Sequence, residues 1–114
     1  MSAVAAIFNV PSTQEEFNTW SFAHAAHHID IIRKIYEITG KELQHQYVLD
    51  PFDKNNAGVW IYQHQLMHQE MDPLLGIAGY DLLDVNFTNP NEFAGWVWLD
   101  AQEHYQAANI LSIG

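Results

Sequence analysis

The sequence predicts an all-α protein, a small helical bundle of three main helices plus a short helix, with an extended N-terminal arm. Apolar residues recur with a 3.6-residue period in three stretches, and helix-capping residues flank these stretches. Strand signals are weak throughout the chain. A chain of 114 residues that is 48% hydrophobic is expected to form one domain, and its lack of cysteine excludes disulfides and cysteine-ligated zinc.

The first element is the N-terminal arm, predicted over residues 1–12 ahead of a single domain over residues 13–114. Ser12 and Glu15 match a capping box, which predicts that the first helix begins there, and Gly40 predicts its end. The inward stripe of this helix is expected to contain Phe17, Trp20, His24, His28, Ile31, Ile35 and Ile38.

The short helix is predicted to begin at Lys41 and to cover the segment KELQHQYV, followed by a loop with the turn-rich sequence LDPFDKNNAG. The second main helix is predicted to begin near Asn56 or Ala57 and to end at about Met71, because a proline follows at position 73. Its inward residues are expected to be Trp60, His64, Met67, His68 and Met71.

The connection over residues 74–88 has two glycines and no helical period, which predicts a packed, irregular segment. Asn89, Pro90 and Glu92 match an N-cap, a first-turn proline and an acidic third residue, so the last helix is predicted over residues 90–109. Its inward face is expected to contain Phe93, Trp96, Val97, Asp100, His104, Ala107 and Leu111.

Three nonamers share one spacing: WSFAHAAHH, WIYQHQLMH and WVWLDAQEH each begin with tryptophan and carry polar, ligand-type residues four and eight places later. Because four residues turn a helix by about 400°, these places lie on one face of each helix. That face is also the apolar one, so we expect the polar groups to meet in the interior. The predicted set is His24, His28, His64, His68, Asp100 and His104.

Two arrangements satisfy such a buried set. In the favoured one, the imidazoles and the carboxylate hydrogen-bond to one another and form a polar layer without any cofactor. In the alternative, they hold a transition metal (zinc, iron or manganese), because histidine pairs at this spacing chelate such ions in helical bundles. Five imidazoles and one carboxylate exceed a single tetrahedral site, so two ions or a partial ligand set are then required.

The remaining polar residues near the nonamers are predicted to lie outside this layer. His27 is adjacent to His28 and is expected on the surface, and Glu70 and Asp72 are expected to be exposed acids. Glu103 is adjacent to the inward histidine at position 104, so it is expected on a different face. No catalytic residue is predicted, because no phosphate-binding loop or nucleophile elbow is present.

The charge balance restricts the partners. Fourteen acidic and four basic residues give a net charge of −10, which disfavours direct binding of nucleic acid. No apolar run approaches the roughly 20 residues that span a bilayer, so no membrane association is predicted and a cytoplasmic location is expected.

Three segments carry a resemblance: WSFAHAAHHIDIIRKI, WIYQHQLMHQEMDPLLGIAGYDLLDVNF and WVWLDAQEHYQAANIL. Together they resemble small His/Trp-rich helical proteins encoded by tailed phages and prophages, over about residues 17–113. The resemblance implies no reaction. It implies a non-catalytic structural or assembly component of a phage particle, of the connector, decoration or tail accessory type.

In that role the chain is expected to form a homo-oligomer or to contact phage structural proteins, in the host cytoplasm during assembly and then in the virion. The alternative function is that of a metal-binding helical bundle, acting as a hydrolase or a redox protein.

Overall fold

A computed structural model describes residue 7, residues 9–44 and residues 57–113 of the chain. The described residues contain three α-helices and no strands, which confirms the all-α prediction. The helices are α1 (Gln14–Thr39), α2 (Ala57–Leu74) and α3 (Pro90–Leu111). None of them combines the length and the apolar character needed to cross a bilayer, as far as the described residues extend.

The predicted beginning of α1 is wrong by one residue, whereas its predicted end is confirmed. The side-chain oxygen of Thr13, not that of Ser12, accepts the backbone N–H of Glu16 at 3.1 Å. The Ser12 hydroxyl donates to the Glu16 carboxylate instead. At the other end, Gly40 adopts a left-handed conformation with φ 71°, and its N–H donates to the Tyr36 carbonyl.

The second helix begins at Ala57 as predicted but continues to Leu74, beyond the predicted end at Met71. Pro73 therefore lies inside the last turn of the helix. The turn that follows explains why the helix ends where it does. Gly76 has a φ of 69°, its N–H donates to the Pro73 carbonyl, and the N–H of Ile77 donates to the Asp72 carbonyl.

The third helix begins at Pro90 as predicted and continues two residues past the predicted end, to Leu111. Asn89 is its N-cap, since its side-chain oxygen accepts the backbone N–H groups of Asn91 and Glu92.

The short helix is not present in residues 41–44, and the rest of its predicted span, like residues 1–6 and 8 of the predicted arm, lies outside the described residues. The backbone N–H of Gln44 donates to a carboxylate oxygen of Glu70 at 2.7 Å, which ties this segment to α2. Glu70 is consequently half-buried, and the prediction of an exposed acid is wrong there.

Two apolar clusters enclose a polar layer. The tryptophan cluster lies at one end and includes Ile7, Trp20, Trp60, Leu82, Phe93 and Trp96. The methionine cluster lies at the other end and includes Ile31, Ile35, Met67, Met71, Ile77 and Leu111. Each helix contributes its earlier residues to the first cluster and its later residues to the second, so the three helices run in the same direction.

The predicted packed connection between α2 and α3 is confirmed. Ile77 is buried in the methionine cluster and Leu82 in the tryptophan cluster, so the segment runs back along the bundle. The N–H of Leu82 donates to Gln65 Oε1 at 2.8 Å, and its carbonyl accepts the indole N–H of Trp96 at 2.7 Å. This segment therefore passes directly over the polar layer.

The predicted inward stripes are buried with two exceptions, both on α1. Phe17 is half-buried, and Ile38 is exposed, so its prediction is wrong. Ile38 follows the last residue of α1 that packs into the methionine cluster, Ile35, and lies in the final turn of the helix. Ile7 of the arm is fully buried in the tryptophan cluster, and its carbonyl accepts the indole N–H of Trp20.

Candidate metal centre

The structure brings all six residues of the predicted set into one layer between the two apolar clusters. Each of them is at most 1% exposed. Rings from different helices are in contact: the ring centroids of His28 and His104 are 4.4 Å apart, and those of His24 and His64 are 5.0 Å apart. The prediction that these side chains face inward and meet is confirmed.

The repeated four-residue spacing places one tryptophan above this layer in each helix. The rings of Trp20 and His24 are stacked with centroids 5.0 Å apart, and those of Trp60 and His64 are stacked at 4.8 Å. The Trp96 ring lies 5.4 Å from the His64 ring. The indoles therefore form an apolar cover that keeps water away from the imidazoles on that side.

Three imidazole nitrogens converge on one carboxylate oxygen at the centre of the layer. Asp100 Oδ1 lies 3.0 Å from His64 Nε2, 3.3 Å from His68 Nε2 and 3.4 Å from His104 Nε2. The two nitrogens from α2, His64 Nε2 and His68 Nε2, are themselves 3.1 Å apart. Despite these distances, Asp100 Oδ1 makes no hydrogen bond of acceptable geometry with any described residue.

These separations match the edges of a metal coordination shell. Nitrogen and oxygen ligands bind zinc at about 2.0–2.2 Å, so neighbouring ligands of a tetrahedral ion are about 3.3 Å apart. A hydrogen-bonded cluster instead requires each N–H to point along its bond to an acceptor. Asp100 Oδ1 lies 3.0–3.4 Å from three imidazole nitrogens without that alignment, and this arrangement fits a common ion better than a set of hydrogen bonds to the carboxylate.

Two of the three histidines of α1, His24 and His28, flank this convergence point. His24 Nε2 is hydrogen-bonded to Asp100 Oδ2 at 2.8 Å, which fixes the orientation of the carboxylate. His28 is fully buried, and neither of its ring nitrogens has a hydrogen-bond partner among the described residues. A metal ion is the simplest partner for a ring in this position, since the other rings already surround it.

His27 also belongs to the layer, so its predicted surface position is wrong. It is fully buried, and its Nδ1 lies 2.6 Å from His104 Nδ1, a distance at which one of the two nitrogens donates a proton to the other. His104 thus presents its Nε2 to Asp100 and its Nδ1 to His27. Such a second partner is what orients a metal-ligating histidine.

Two further acids that were predicted to lie elsewhere are buried beside His68. Asp72 is 2% exposed and Glu103 is fully buried, so both predictions are wrong. His68 Nδ1 lies 3.5 Å from Asp72 Oδ1 and 3.4 Å from Glu103 Oε2. The other oxygen of Glu103 accepts the backbone N–H of Tyr80 at 3.0 Å, so the connection between α2 and α3 holds this carboxylate in place.

Burial keeps most of the imidazoles neutral. Desolvation lowers the pKa of His27, His64 and His104 to about 3, with neighbouring imidazoles lowering it further and the Asp100 carboxylate opposing the shift. The pKa of His28 is lowered well below its usual value for the same reason. At neutral pH these rings therefore have free lone pairs, the form in which histidine binds metals.

For His68 and Asp100, neighbouring charges outweigh the effect of burial on the pKa, whereas for Glu103 burial has the larger effect. Burial alone would lower the pKa of His68, but the carboxylates of Asp100 and Asp72 outweigh burial and raise it to about 10. Burial opposes ionisation of Asp100, yet the surrounding imidazoles hold its pKa well below the usual range. Burial and the nearby Asp72 raise the pKa of Glu103 to about 9, so without a cation this acid keeps its proton at neutral pH.

The layer does not satisfy itself by hydrogen bonding. Its imidazoles and carboxylates form three side-chain hydrogen bonds, His24 to Asp100, His27 to His104 and His64 to His68. Ten buried nitrogen and oxygen atoms remain without a partner in the described parts of the chain. Each such atom costs about 1–3 kcal/mol, whereas a whole domain is stable by about 5–15 kcal/mol.

Three overlapping groups of these side chains offer ligand atoms that lie within 4.8 Å of one another. The groups are His24, His28, His64 and His104; His64, His68, Asp100 and His104; and His68, Asp72 and Glu103. The first two share two histidines and define one inner site, whereas the third shares only His68 with them and defines an outer site.

Comparisons with known proteins add no assignment. No family model matches the chain, and neither the curated proteins nor the solved structures contain a significant match.

Proposed function

We propose that this protein is a transition-metal-binding helical bundle whose inner site holds an ion among the imidazoles and the carboxylate of the three nonamers. The observation that carries the proposal is the convergence of His64, His68 and His104 on Asp100 Oδ1 at 3.0–3.4 Å without hydrogen-bond geometry. A bound cation satisfies these four atoms at once, which no pairing among them does.

The charges of the site support the same proposal. The inner site has an ionised Asp100 in a fully buried position, and without a metal the cation beside it is His68, whose pKa the carboxylates raise to about 10. A buried carboxylate is strongly unfavourable unless a cation lies next to it. A divalent ion supplies that charge in place of the proton on His68.

The donor set limits the ions to consider. Imidazole and carboxylate ligands, without cysteine, suit zinc, iron and manganese, the three candidates that the sequence predicts. All the inner ligands are at most 1% exposed, which is typical of a closed site whose ion stabilises the fold. Binding and folding are then coupled, since the metal binds the folded chain in preference to the unfolded one.

Elemental analysis of the untagged protein tests this proposal, because a polyhistidine tag would itself bind metal. We expect at least one equivalent of a transition metal per chain, retained through gel filtration, and a matching uptake by chelator-treated protein. An Asp84→Asn variant is the control, since Asp84 is an exposed acid outside all three ligand groups. Protein that is folded, metal-free and unable to take up zinc, iron or manganese contradicts the proposal.

A second candidate is the assembly role predicted from the resemblance to phage-encoded proteins. What supports it is a set of large apolar side chains on the outer surface: Phe22 is 66% exposed, Tyr62 57% and Trp98 56%. Exposed aromatic residues are enriched where proteins contact one another. Light scattering tests this candidate: an oligomer that a Trp98→Glu substitution dissociates supports it, and a monomer at all concentrations contradicts it.

A further inference from the structure

A surface cavity leads to the outer ligand group. The cavity has a volume of about 430 Å³, and its wall includes His68, Asp72, Gly79 and Tyr80. His68 and Asp72 are only 1% and 2% exposed, so the cavity ends at these two side chains. Four other surface cavities in the described part of the chain are lined by no residue of the three ligand groups.

We propose that His68, Asp72 and Glu103 form a second metal site, that His68 bridges it to the inner ion, and that the cavity gives water and small anions access to it. This inference rests on the proposed function, because His68 is also a ligand of the inner site. It goes further by assigning a second ion and an exchangeable ligand to a place that the nonamers do not predict.

The orientation of the His68 ring carries the bridging role. Its Nε2 faces the inner site, 3.3 Å from Asp100 Oδ1 and 3.1 Å from His64 Nε2. Its Nδ1 faces the outer site, 3.5 Å from Asp72 Oδ1 and 3.4 Å from Glu103 Oε2. The two nitrogens of one imidazole therefore point to two different ligand sets, and a ring that binds an ion at each nitrogen releases both of its ring protons to solvent.

The outer ligand atoms lie next to one another, and although burial opposes the shift, the nearby His68 and Glu103 lower the pKa of Asp72. Both carboxylate oxygens of Asp72, Oε2 of Glu103 and Nδ1 of His68 are buried and make no well-aligned hydrogen bond with any described residue. Oε1 of Glu103 is held by the Tyr80 N–H, which leaves Oε2 free to bind a cation. Two unpartnered buried carboxylates next to one imidazole are stable together only if a proton or a cation separates them.

The residue of the cavity wall that lies closest to both carboxylates from the connecting segment is a glycine, Gly79. A Cβ atom at Gly79 would lie 3.3 Å from Asp72 Oδ2 and 3.4 Å from Glu103 Oε1, closer than most side-chain contacts. The absence of a side chain here leaves room for a ligand between the cavity and the carboxylates. Three protein ligands with an open side are typical of sites where a metal binds exchangeable water.

Metal stoichiometry of isosteric variants tests the second site. Asp72→Asn and Glu103→Gln each remove one anionic ligand at nearly constant volume, with Asp84→Asn and Glu15→Gln as exposed controls. We expect each of the two variants to bind one equivalent less than the unsubstituted protein and the controls to bind the same amount. Circular dichroism checks that the variants remain helical.

The outcomes separate the two proposals. If the unsubstituted protein binds no metal, the proposed function fails and the second site fails with it. If the protein binds metal but both variants retain the full amount, the inner site stands and the second site is refuted. In that case the two carboxylates only orient His68 through its Nδ1.

Azide binding provides a second measurement that does not depend on counting metal equivalents. In protein loaded with Co²⁺, we expect azide to change the visible d–d absorption, because the anion reaches the outer ion through the cavity. The Asp72→Asn variant, lacking that ion, is expected to show no change. An azide response of equal size in both proteins, or none in the fully loaded protein, contradicts the access proposed here.

Discussion

The tryptophan cluster and the histidine layer are built by the same three helices, one helical turn apart, yet they differ in whether their polar atoms have partners. In the tryptophan cluster, the indole N–H groups of Trp20 and Trp96 donate to the carbonyls of Ile7 and Leu82. In the histidine layer, ten buried polar atoms lack partners in the described chain. The hydrogen-bond groups of these two indoles are satisfied as folded, whereas those of the layer are satisfied only in part, which is the basis of the metal-binding proposal.

This difference shows what the two regions contribute. Burial of the tryptophans stabilises the bundle through apolar contact and two satisfied hydrogen bonds, independently of any ligand. Under the proposed function, the histidine layer is stabilised by a bound cation, because its buried polar groups lose their contact with water. Stability that depends on metal is therefore expected to arise in the layer alone, and the following experiments test that separation.

Removal of the metal is expected to have the largest effect. At a free metal concentration about a thousand times the Kd, binding stabilises the folded state by about 4 kcal/mol, which corresponds to a Tm higher by roughly 15–30 °C. We expect a chelator to remove this increment and added metal to restore it, as measured by thermal denaturation. A Tm that is the same with and without chelator would show that the layer is complete without an ion.

A change of pH is expected to alter the stability of the metal-free protein by nearly as much as removal of the metal does. The pKa values of His27, His64 and His104 are about 3 in the folded state, so the unfolded chain binds protons first as the pH falls below 6.5. The pKa of His28 is lowered as well, whereas the raised pKa of Glu103, about 9, opposes this effect, so the metal-free protein is expected to lose stability as the pH falls below 6.5.

Above pH 6.5 the sign reverses. The pKa of His68 is raised to about 10, so its stabilising contribution is complete below pH 6.5 and is lost as the pH rises towards 10, and that of Glu103 declines up to about pH 9. Denaturant titrations of metal-free protein between pH 4.5 and 9 are expected to give a maximum near pH 6.5. A profile that is flat over this range would place the imidazoles in solvent.

The Asp100→Asn substitution is expected to have the next-largest effect, a loss of metal affinity. It keeps the shape of the side chain but removes the only carboxylate of the inner ligand groups, so metal affinity should fall at least 100-fold, beyond the 10–100-fold typical of outer-shell changes. Competition with a chelator of known affinity measures the change, with Asp84→Asn as the control. Unchanged affinity would mean that this carboxylate is not a ligand.

The His27→Phe substitution tests the orienting contact and is expected to have a smaller effect. It keeps a ring in the buried position but removes the nitrogen that lies 2.6 Å from His104 Nδ1. We expect a 10–100-fold loss of affinity at unchanged stoichiometry, measured by the same competition. Loss of a whole equivalent would instead make His27 a ligand.

The Trp20→Phe substitution is expected to have the smallest effect on the metal. It removes the indole N–H that donates to the Ile7 carbonyl at 3.2 Å, so stability should fall by about 1 kcal/mol or somewhat more because the ring is smaller. Metal stoichiometry and affinity should stay the same. A variant that loses metal would contradict the separation between the tryptophan cluster and the histidine layer.

The sequence predicts much of this fold because its signals are local. Period, caps and turn residues identify the three helices, and the shared four-residue spacing places the six inward residues correctly. The predicted end of α2 at Met71 is wrong because a proline was expected to stop the helix at once, whereas Pro73 is accommodated in the last turn. Helix ends depend on such closing turns, which a spacing rule does not contain.

Three buried residues of the layer, Asp72, His27 and Glu103, are predicted outside it because the four-residue spacing within the nonamers selects too few inward positions. Asp72 follows His68 by four residues, so it continues the stripe of the second nonamer by one more step. His27 and Glu103 are each three residues after a buried residue of the layer and were assigned elsewhere because of their inward neighbours. A helix that packs against two partners buries an arc wider than 100°, so adjacent residues can both face inward.

The outer site could not be predicted from helix periodicity, because part of it comes from tertiary structure. The backbone of Tyr80 and the bare Cα of Gly79 meet Glu103 only because the irregular connection passes over the layer. That path follows from the burial of Ile77 and Leu82 at opposite ends of the bundle. No local signal in this segment indicates its route.

Anomalous X-ray diffraction from metal-loaded crystals, recorded at the absorption edge of the bound metal, tests the central claim most directly. We expect a peak at about 2.0–2.2 Å from Asp100 Oδ1 and from the three imidazole nitrogens that lie 3.0–3.4 Å from it, His64 Nε2, His68 Nε2 and His104 Nε2. Absence of any peak in the layer, with the imidazoles and Asp100 turned into direct hydrogen bonds to one another, would contradict it.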